Sequence, residues 1–232
     1  MTGWLAALLL AGVAAEPVED QEAQRLVDAM IARDKVLVER RESLSYTLVT
    51  RREKLDKKGD VVSSTEESHA MRGSERIDYG TRPEGKDAEK DLERAAREEP
   101  FEFFNIISHY TFTREGEEAV LGQPCHVVAY EPRPNMPFRN REEKVLNQVR
   151  GRLWIRKADH TLMRNEGKLR RPVSVAWFMA TLGDLHFLFE TRRLPNGDYG
   201  PARVVYRFKV NVLFAEIRER HIREMKDYAV VR

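Results

Sequence analysis

The feature that most constrains the fold of this chain is a series of short segments in which apolar residues recur at every second position. In residues 149–156, for example, Leu153 and Ile155 alternate with Arg152 and Arg156. A period of two is typical of antiparallel strands whose two faces meet different surroundings. About ten such segments, separated by turn signals, follow the first forty residues, and this spacing indicates a mainly β fold built on a sheet or barrel.

One helix precedes the strands. Residues 19–42 place Leu26, Val27, Met30 and Ile31 at helical spacing, with charged residues between them. We therefore predict an N-terminal amphipathic helix followed by a single strongly curved antiparallel sheet. That helix and one or two short helices are expected to pack on the concave face of the sheet.

The start of the chain has the pattern of an export signal. Residues 1–15 carry no charged side chain, are largely apolar and end in small residues. We expect a signal peptide cleaved near Ala15, a mature domain over residues 16–232 and a periplasmic location. The alternative is an uncleaved membrane anchor, but a spanning helix needs about 20 apolar residues and this run is shorter. Cys125 is the only cysteine, which argues against a lipid anchor at the cleavage point.

Composition narrows the class of partner. The 40 Lys and Arg residues nearly balance the 38 Asp and Glu residues, which leaves a net charge of +2. Nucleic-acid-binding proteins usually carry a clear basic excess, so we expect no nucleic-acid partner. One cysteine cannot form an internal disulfide, and Cys125 lies in a segment with the composition of a strand. We expect it to be a small buried hydrophobe.

Catalytic motifs are missing from the sequence. It contains no G-x-S-x-G elbow, no H-E-x-x-H zinc motif, no paired C-x-x-C and no glycine-rich phosphate loop. The six histidines have no ligand spacing. We therefore expect no enzyme activity, no metal and no cofactor. The alternative is an enzyme whose site is assembled only in space, with His109, His126 and His186 as its candidates.

Aromatic residues are the main candidates for a binding site. Trp154 falls on the arginine side of its predicted strand, so both faces of that strand bury something. Either a helix covers the second face and the aromatics form plain core, or that face lines a cavity able to hold an acyl chain. The candidate lining residues are Phe101, Phe104, Tyr110, Trp154, Trp177, Phe178, Phe187 and Phe189. The candidate cationic rim, which would meet anionic head groups, is Arg139, Arg141, Arg150 and Arg152.

A charged insertion interrupts the strand pattern. Residues 83–99 have helical composition, with Lys and Glu at spacings that allow salt bridges. A solvated surface helix or loop is the plainer interpretation, and a contact for a protein partner is the other.

Four segments share the pattern of a known superfamily. They are the helix leading into Leu-Ser-Tyr-Thr-Leu (44–48), Gly-Gln-Pro-Cys-His-Val-Val-Ala-Tyr-Glu-Pro (122–132), Gly-Arg-Leu-Trp-Ile (151–155) with Asp159 and Arg164 after it, and the terminal Asp-Tyr (227–228). In these segments the chain resembles the LolA/LolB-like periplasmic outer-membrane lipoprotein-sorting proteins. The resemblance implies an incomplete β-barrel, helices over its open face and a hydrophobic cavity for acyl chains.

These observations lead to one hypothesis and one principal alternative. The hypothesis is a soluble, monomeric, non-enzymatic carrier that binds lipid or lipoprotein acyl chains and touches the membrane transiently. The alternative is a periplasmic sensor or regulator of the same fold that binds an envelope protein.

Overall fold

The computed structural model describes residues 20–76, 107–176 and 180–231. The predicted signal peptide and the charged insertion 83–99 therefore lie outside the described residues. Two helices and eleven strands occur within them: α1 Gln21–Arg41, β1 Leu44–Leu55, β2 Val61–Arg72, β3 Glu75–Arg76, β4 Tyr110–Val120, β5 Gln123–Pro132, α2 Arg141–Leu146, β6 Val149–Arg156, β7 Leu162–Leu169, β8 Val173–Ala176, β9 Ala180–Arg193, β10 Tyr199–Val212 and β11 Ala215–Val230.

All the strands belong to one antiparallel sheet. Their spatial order is β3-β2-β1-β11-β10-β9-β7-β6-β5-β4, and β8 pairs with β9 beside this path. Among the described strands, β3 and β4 are the two edges and the sheet does not close on itself. The predicted fold class, a mainly β protein with one open antiparallel sheet and an N-terminal helix, is confirmed.

Helix α1 begins where the sequence pattern places it. Asp20 is the N-cap, and its Oδ1 accepts a hydrogen bond from the Ala23 backbone N–H at 3.0 Å. Its Oδ2 accepts a second one from the backbone N–H of Arg114 in β4 at 2.9 Å. One side chain thus caps the helix and fastens its first turn to the sheet. None of the helices within the described residues is long and apolar enough to cross a membrane.

The main core lies between α1 and the sheet face that it covers, which we call the helix face. Leu26, Val27 and Met30 of α1 pack there against side chains of β4, β5 and β6. The buried sheet and α2 residues of this core are Tyr110, Phe112, Val128, Tyr130, Leu146, Val149, Leu153 and Ile155. Burial of this apolar surface is the main stabilising contribution, because the chain has no disulfide.

A smaller core lies on the opposite side, which we call the outer face. Cys125, Val127, Trp154, Met163 and Tyr199 form it. Cys125 is fully buried with a free thiol, and burial raises its pKa. The expectation that it acts as a small buried hydrophobe is therefore confirmed.

One predicted strand is wrong. The sequence pattern suggests a single strand over 119–130, but β4 ends at Val120 and β5 begins at Gln123. Leu121 and Gly122 form the turn between them, with φ of 52° and 72°. Two successive positive φ values match the twist of a two-residue hairpin, and Gly122 adopts one of them at no steric cost.

Candidate functional site

The candidate site is a set of apolar side chains on the helix face of β9 and β10. We call it the apolar row, and it consists of Leu185, Phe187, Phe189, Val204, Tyr206 and Phe208. The register places Phe187 opposite Tyr206 and Phe189 opposite Val204. The ring centroids of Phe187 and Tyr206 are 6.4 Å apart. Alternation along each strand brings all six side chains to one face.

Burial distinguishes this part of the helix face from the rest. Tyr110 and Leu153, which lie under α1, have no exposed surface. Every member of the apolar row is partly buried and keeps some exposed surface, although Leu185 and Phe187 also pack against the main core. The helix face is therefore sealed at the β4–β7 end, while the β9–β10 end keeps apolar surface that a ligand can still cover.

Gly167 of β7 sets the position of one ring in the row. A Cβ atom at Gly167 would stand 2.2 Å from the Phe187 ring and 2.6 Å from the Tyr130 hydroxyl oxygen. The Tyr130 hydroxyl in turn donates to Asn165 Oδ1 or to the Glu166 backbone carbonyl, both at 3.2 Å. The missing side chain lets Phe187 lie flat against the neighbouring strand.

Polar residues of β11 border the apolar row. Glu219, His221 and Arg223 lie opposite Phe208, Tyr206 and Val204, respectively. His221 Nε2 is 2.8 Å from Glu219 Oε2, and its ring packs edge-on against Phe208 with centroids 5.0 Å apart. An apolar surface with a few polar groups at one edge is the usual composition of a small-molecule site.

Sequence reasoning missed this border. The alternation of Glu219, His221 and Arg223 is visible in the sequence, but their opposition to the apolar row depends on the β10–β11 register. Burial raises the pKa of Tyr206, and the positive charge of Arg223 partly opposes this rise.

Two arginines fasten the C-terminal half of α1 to turns of the sheet. Arg33 Nη2 is 3.0 Å from Asp159 Oδ2 in the β6–β7 turn and 3.4 Å from Asp198 Oδ1 in the β9–β10 turn. Arg40 Nη1 is 3.1 Å from Asp198 Oδ1. Burial raises the pKa of Asp159, but hydrogen bonds from Arg156 and Thr161 outweigh it and lower the pKa to about 2. These charged contacts and the buried side chain of Leu37 therefore hold this half of the helix in place.

The predicted lining residues do not form one cavity among the described residues. Tyr110 belongs to the helix-face core, where its hydroxyl donates to the Leu146 carbonyl at 2.7 Å. Trp154 is 5% exposed and belongs to the outer-face core. Its Nε1 donates to Glu118 Oε2 at 2.8 Å, and the Arg164 guanidinium lies 5.1 Å from its ring centroid. The alternation that separates Trp154 from Leu153 also separates it from the apolar row.

Of the remaining candidate lining residues, two lie on the helix face and four lie outside the described residues. Phe187 and Phe189 lie together on the helix face in the apolar row. Phe101, Phe104, Trp177 and Phe178 lie outside the described residues.

The four arginines of the predicted rim do not lie together. Arg150 and Arg152 point to the outer face, where they pair with Glu131 at 3.4 Å and with Glu115 at 2.6 Å. Arg139 pairs with Glu143 at 2.6 Å beside α2, and Arg141 is the exposed first residue of that helix. Arg150 and Arg152 cannot border the apolar row, because their side chains leave the sheet on its other side.

The histidines proposed for a non-sequential enzyme site have separate surroundings. His109 Nδ1 lies 2.8 Å from Asn147 Oδ1, and His186 Nε2 lies 3.3 Å from Asp184 Oδ1. His126 Nδ1 is buried and has no hydrogen-bond partner in the described part of the chain. Within residues 20–76, 107–176 and 180–231, no three His, Cys, Asp or Glu side chains form a group able to hold a metal.

Comparison with known proteins finds similarity in structure only. No protein-family model and no curated protein matches the sequence. A LolA superfamily protein from Nitrosomonas europaea is 13% identical, with a TM-score of 0.36 over 90% of this chain and 93% of its own. A candidate outer membrane lipoprotein-sorting protein domain from Vibrio parahaemolyticus is 11% identical, with a TM-score of 0.38 over 90% and 92%. A chain of the Pseudomonas aeruginosa MucA/MucB complex is 10% identical, with a TM-score of 0.31 over 91% and 99%. With sequence identities and TM-scores this low, the similarity carries no conclusion about function.

Proposed function

We propose that the chain is an exported, non-enzymatic carrier that binds the acyl chain of a lipid or lipoprotein along the apolar row. The observation that carries this proposal is that all six members of the row keep some exposed apolar surface next to the closed core under α1. An acyl chain laid along β9 and β10 would remove that surface from water. The gain is about 0.8 kcal/mol per buried CH₂ group, so a long acyl chain is needed to offset the entropic cost of association.

The surroundings of the apolar row supply the other parts of a carrier. His221 and Arg223 border it with groups that can meet a polar head group. Helix α1 spans the same face and is fastened at its C-terminal half by Arg33 and Arg40. Movement of this half of the helix would break these charged contacts and expose Leu37, while the core around Leu26 and Val27 stays packed.

Native mass spectrometry of the protein from an envelope fraction tests the proposal. A mass increment equal to a lipid or lipopeptide, removed by detergent, is the expected result. A purified protein that carries no lipid and takes up no fluorescent long-chain fatty acid would contradict it. A stoichiometric protein partner in place of lipid would instead favour a sensor or regulator.

Two neighbouring residues provide a matched pair of variants. Phe189 lies in the apolar row, and Leu188 is a half-buried apolar residue on the outer face of the same strand. Phe189→Gln should weaken binding of the fatty acid by about tenfold, since it removes apolar contact area. Leu188→Gln should bind it as the wild type does. Equal effects of the two substitutions would mean that the ligand does not lie on the helix face.

A further inference from the structure

The outer face of β10 and β11 places like charges directly opposite each other. Arg207 lies opposite Arg220, and Lys209 lies opposite Arg218. Because alternate residues share a face, these four side chains form a two-by-two group, which we call the cationic grid. Directly opposed like charges destabilise a sheet. Two such pairs side by side therefore suggest that an anion binds between them.

Neighbouring carboxylates neutralise only half of the cationic grid. Arg220 pairs with the buried Glu53 of β1. Arg218 Nε lies 2.7 Å from Glu216 Oε1, and its Nη1 donates to the Lys57 backbone carbonyl at 2.9 Å. In the described part of the chain, the side chains of Arg207 and Lys209 form no hydrogen bond or close ion pair, but Asp184 lies directly opposite Lys209 in β9 and the charge of Lys209 helps to lower the pKa of Glu216.

A cavity of about 90 Å³ opens at the cationic grid. Arg207, Lys209 and Arg218 line it, together with Asp184, Leu55, Gly59 and Phe208. Asp184 is the carboxylate in this lining, and it already contacts His186 at 3.3 Å. Gly59, in the β1–β2 turn, has open space where a side chain would stand. Three cations therefore face a small open space bounded by one carboxylate.

We propose that the cationic grid is a binding site for a phosphate group. Arginine presents a planar fork of donors that matches phosphate oxygens, and lysine adds a mobile positive charge. A bound phosphate anion would reduce the repulsion within the opposed pairs. The charged side chains of this site leave the sheet on the opposite face from the apolar row, and Phe208 is the residue that the two sites share.

The phosphate can belong to a lipid head group or to a free solute. The β10–β11 turn immediately beyond the grid exposes Leu213 and Phe214, whose exposed fractions are 63% and 104%. Exposed apolar side chains beside cations suit the surface of an anionic bilayer. The experiment therefore includes one arm for each source.

The protein is titrated with inorganic phosphate by calorimetry and is mixed in parallel with phosphatidylglycerol or phosphatidylcholine vesicles in a flotation assay. Binding to phosphate or to phosphatidylglycerol vesicles is expected, and added salt should weaken it. Phosphate binding identifies a site for a free solute, whereas binding to phosphatidylglycerol vesicles alone identifies a head-group site. Failure to bind either probe, or equal binding to phosphatidylcholine vesicles, would overturn the proposal.

The decisive variant is the double substitution Arg207→Gln with Lys209→Gln. It should lower the affinity at least tenfold and should melt no lower than the wild type, because it removes opposed like charges. The matched control is Arg203→Gln, on the same face of β10 but paired with Glu224 at 3.7 Å. This control should bind as the wild type does. Unchanged affinity in the double variant, or an equal loss in the control, would refute the assignment.

Discussion

Arg33 of α1 and Asp159 of the β6–β7 turn form an ion pair of 3.0 Å that joins the helix to the sheet. Both side chains are mostly buried, and Asp159 also accepts two hydrogen bonds from Arg156. Arg156 in turn lies 4.7 Å above the Tyr199 ring in the outer-face core. The position of the helix is thereby coupled to the packing on the other side of the sheet.

Arg33→Gln should loosen the C-terminal half of α1. It removes the contacts with both Asp159 and Asp198, and we expect the free energy of unfolding to fall by about 1 kcal/mol. Hydrogen exchange should accelerate in the last two turns of the helix but not in its first turn, which Asp20 fastens to β4. Arg25→Gln, an exposed position of the same helix, should leave the exchange unchanged.

Asp159 should make the protein less stable at low pH. Its pKa in the folded state is about 2, below the ordinary 3.8, so the folded protein favours the charged form. The stabilisation is therefore complete above about pH 4 and is lost as the pH falls towards 2. The shift corresponds to about 2 kcal/mol.

Thermal melts of Asp159→Asn between pH 2 and pH 5 should show a flatter pH dependence than the wild type. Parallel curves would contradict the assignment.

The sequence predicts the elements of this fold better than it predicts the contacts between them. Helix α1 and strand β6 agree with their predicted positions, because hydrophobic periodicity is a local signal. The β4–β5 turn is missed because Leu121 is apolar and continues the alternation of its strand. A positive φ at leucine has no sequence signal of its own.

For the candidate site, too, the sequence predicts which face a residue occupies but not which residues it contacts. Alternation correctly separates Trp154 from Leu153, but it cannot show what covers each face. Trp154 is covered by polar partners, Arg164 from the adjacent strand of its hairpin and Glu118 from β4, 36 residues earlier in the chain. The border of the apolar row is equally non-local, since it rests on the register of β10 against β11.

His126 should add a second pH dependence near neutrality. Burial lowers its pKa, and the charges of Arg114 and Lys157 lower it further, while Glu117 and Glu22 oppose them. The folded protein therefore favours the neutral ring, and stability should decline as the pH falls below about 6.5. Denaturant titrations at pH 5 to 8 should show this decline in the wild type and a smaller one in His126→Gln. His186→Gln is the control, and its stability should decline with falling pH as that of the wild type does. A smaller decline in His186→Gln than in His126→Gln would contradict the assignment to His126.

Gly151→Ala tests the close packing that supports the helix face beside the apolar row. A Cβ atom at Gly151 would stand 1.8 Å from the Glu166 backbone carbonyl oxygen and 2.5 Å from the Tyr130 hydroxyl oxygen. The carbonyl belongs to the paired strand β7 and cannot move without breaking the ladder, so we expect a loss of about 3 kcal/mol in the free energy of unfolding. Gly183→Ala is the control, because the closest atom to its new Cβ is the flexible end of Lys209 at 3.0 Å. Urea denaturation should show a much smaller loss for this control, and equal losses would mean that the two strands are not packed as closely as the distances require.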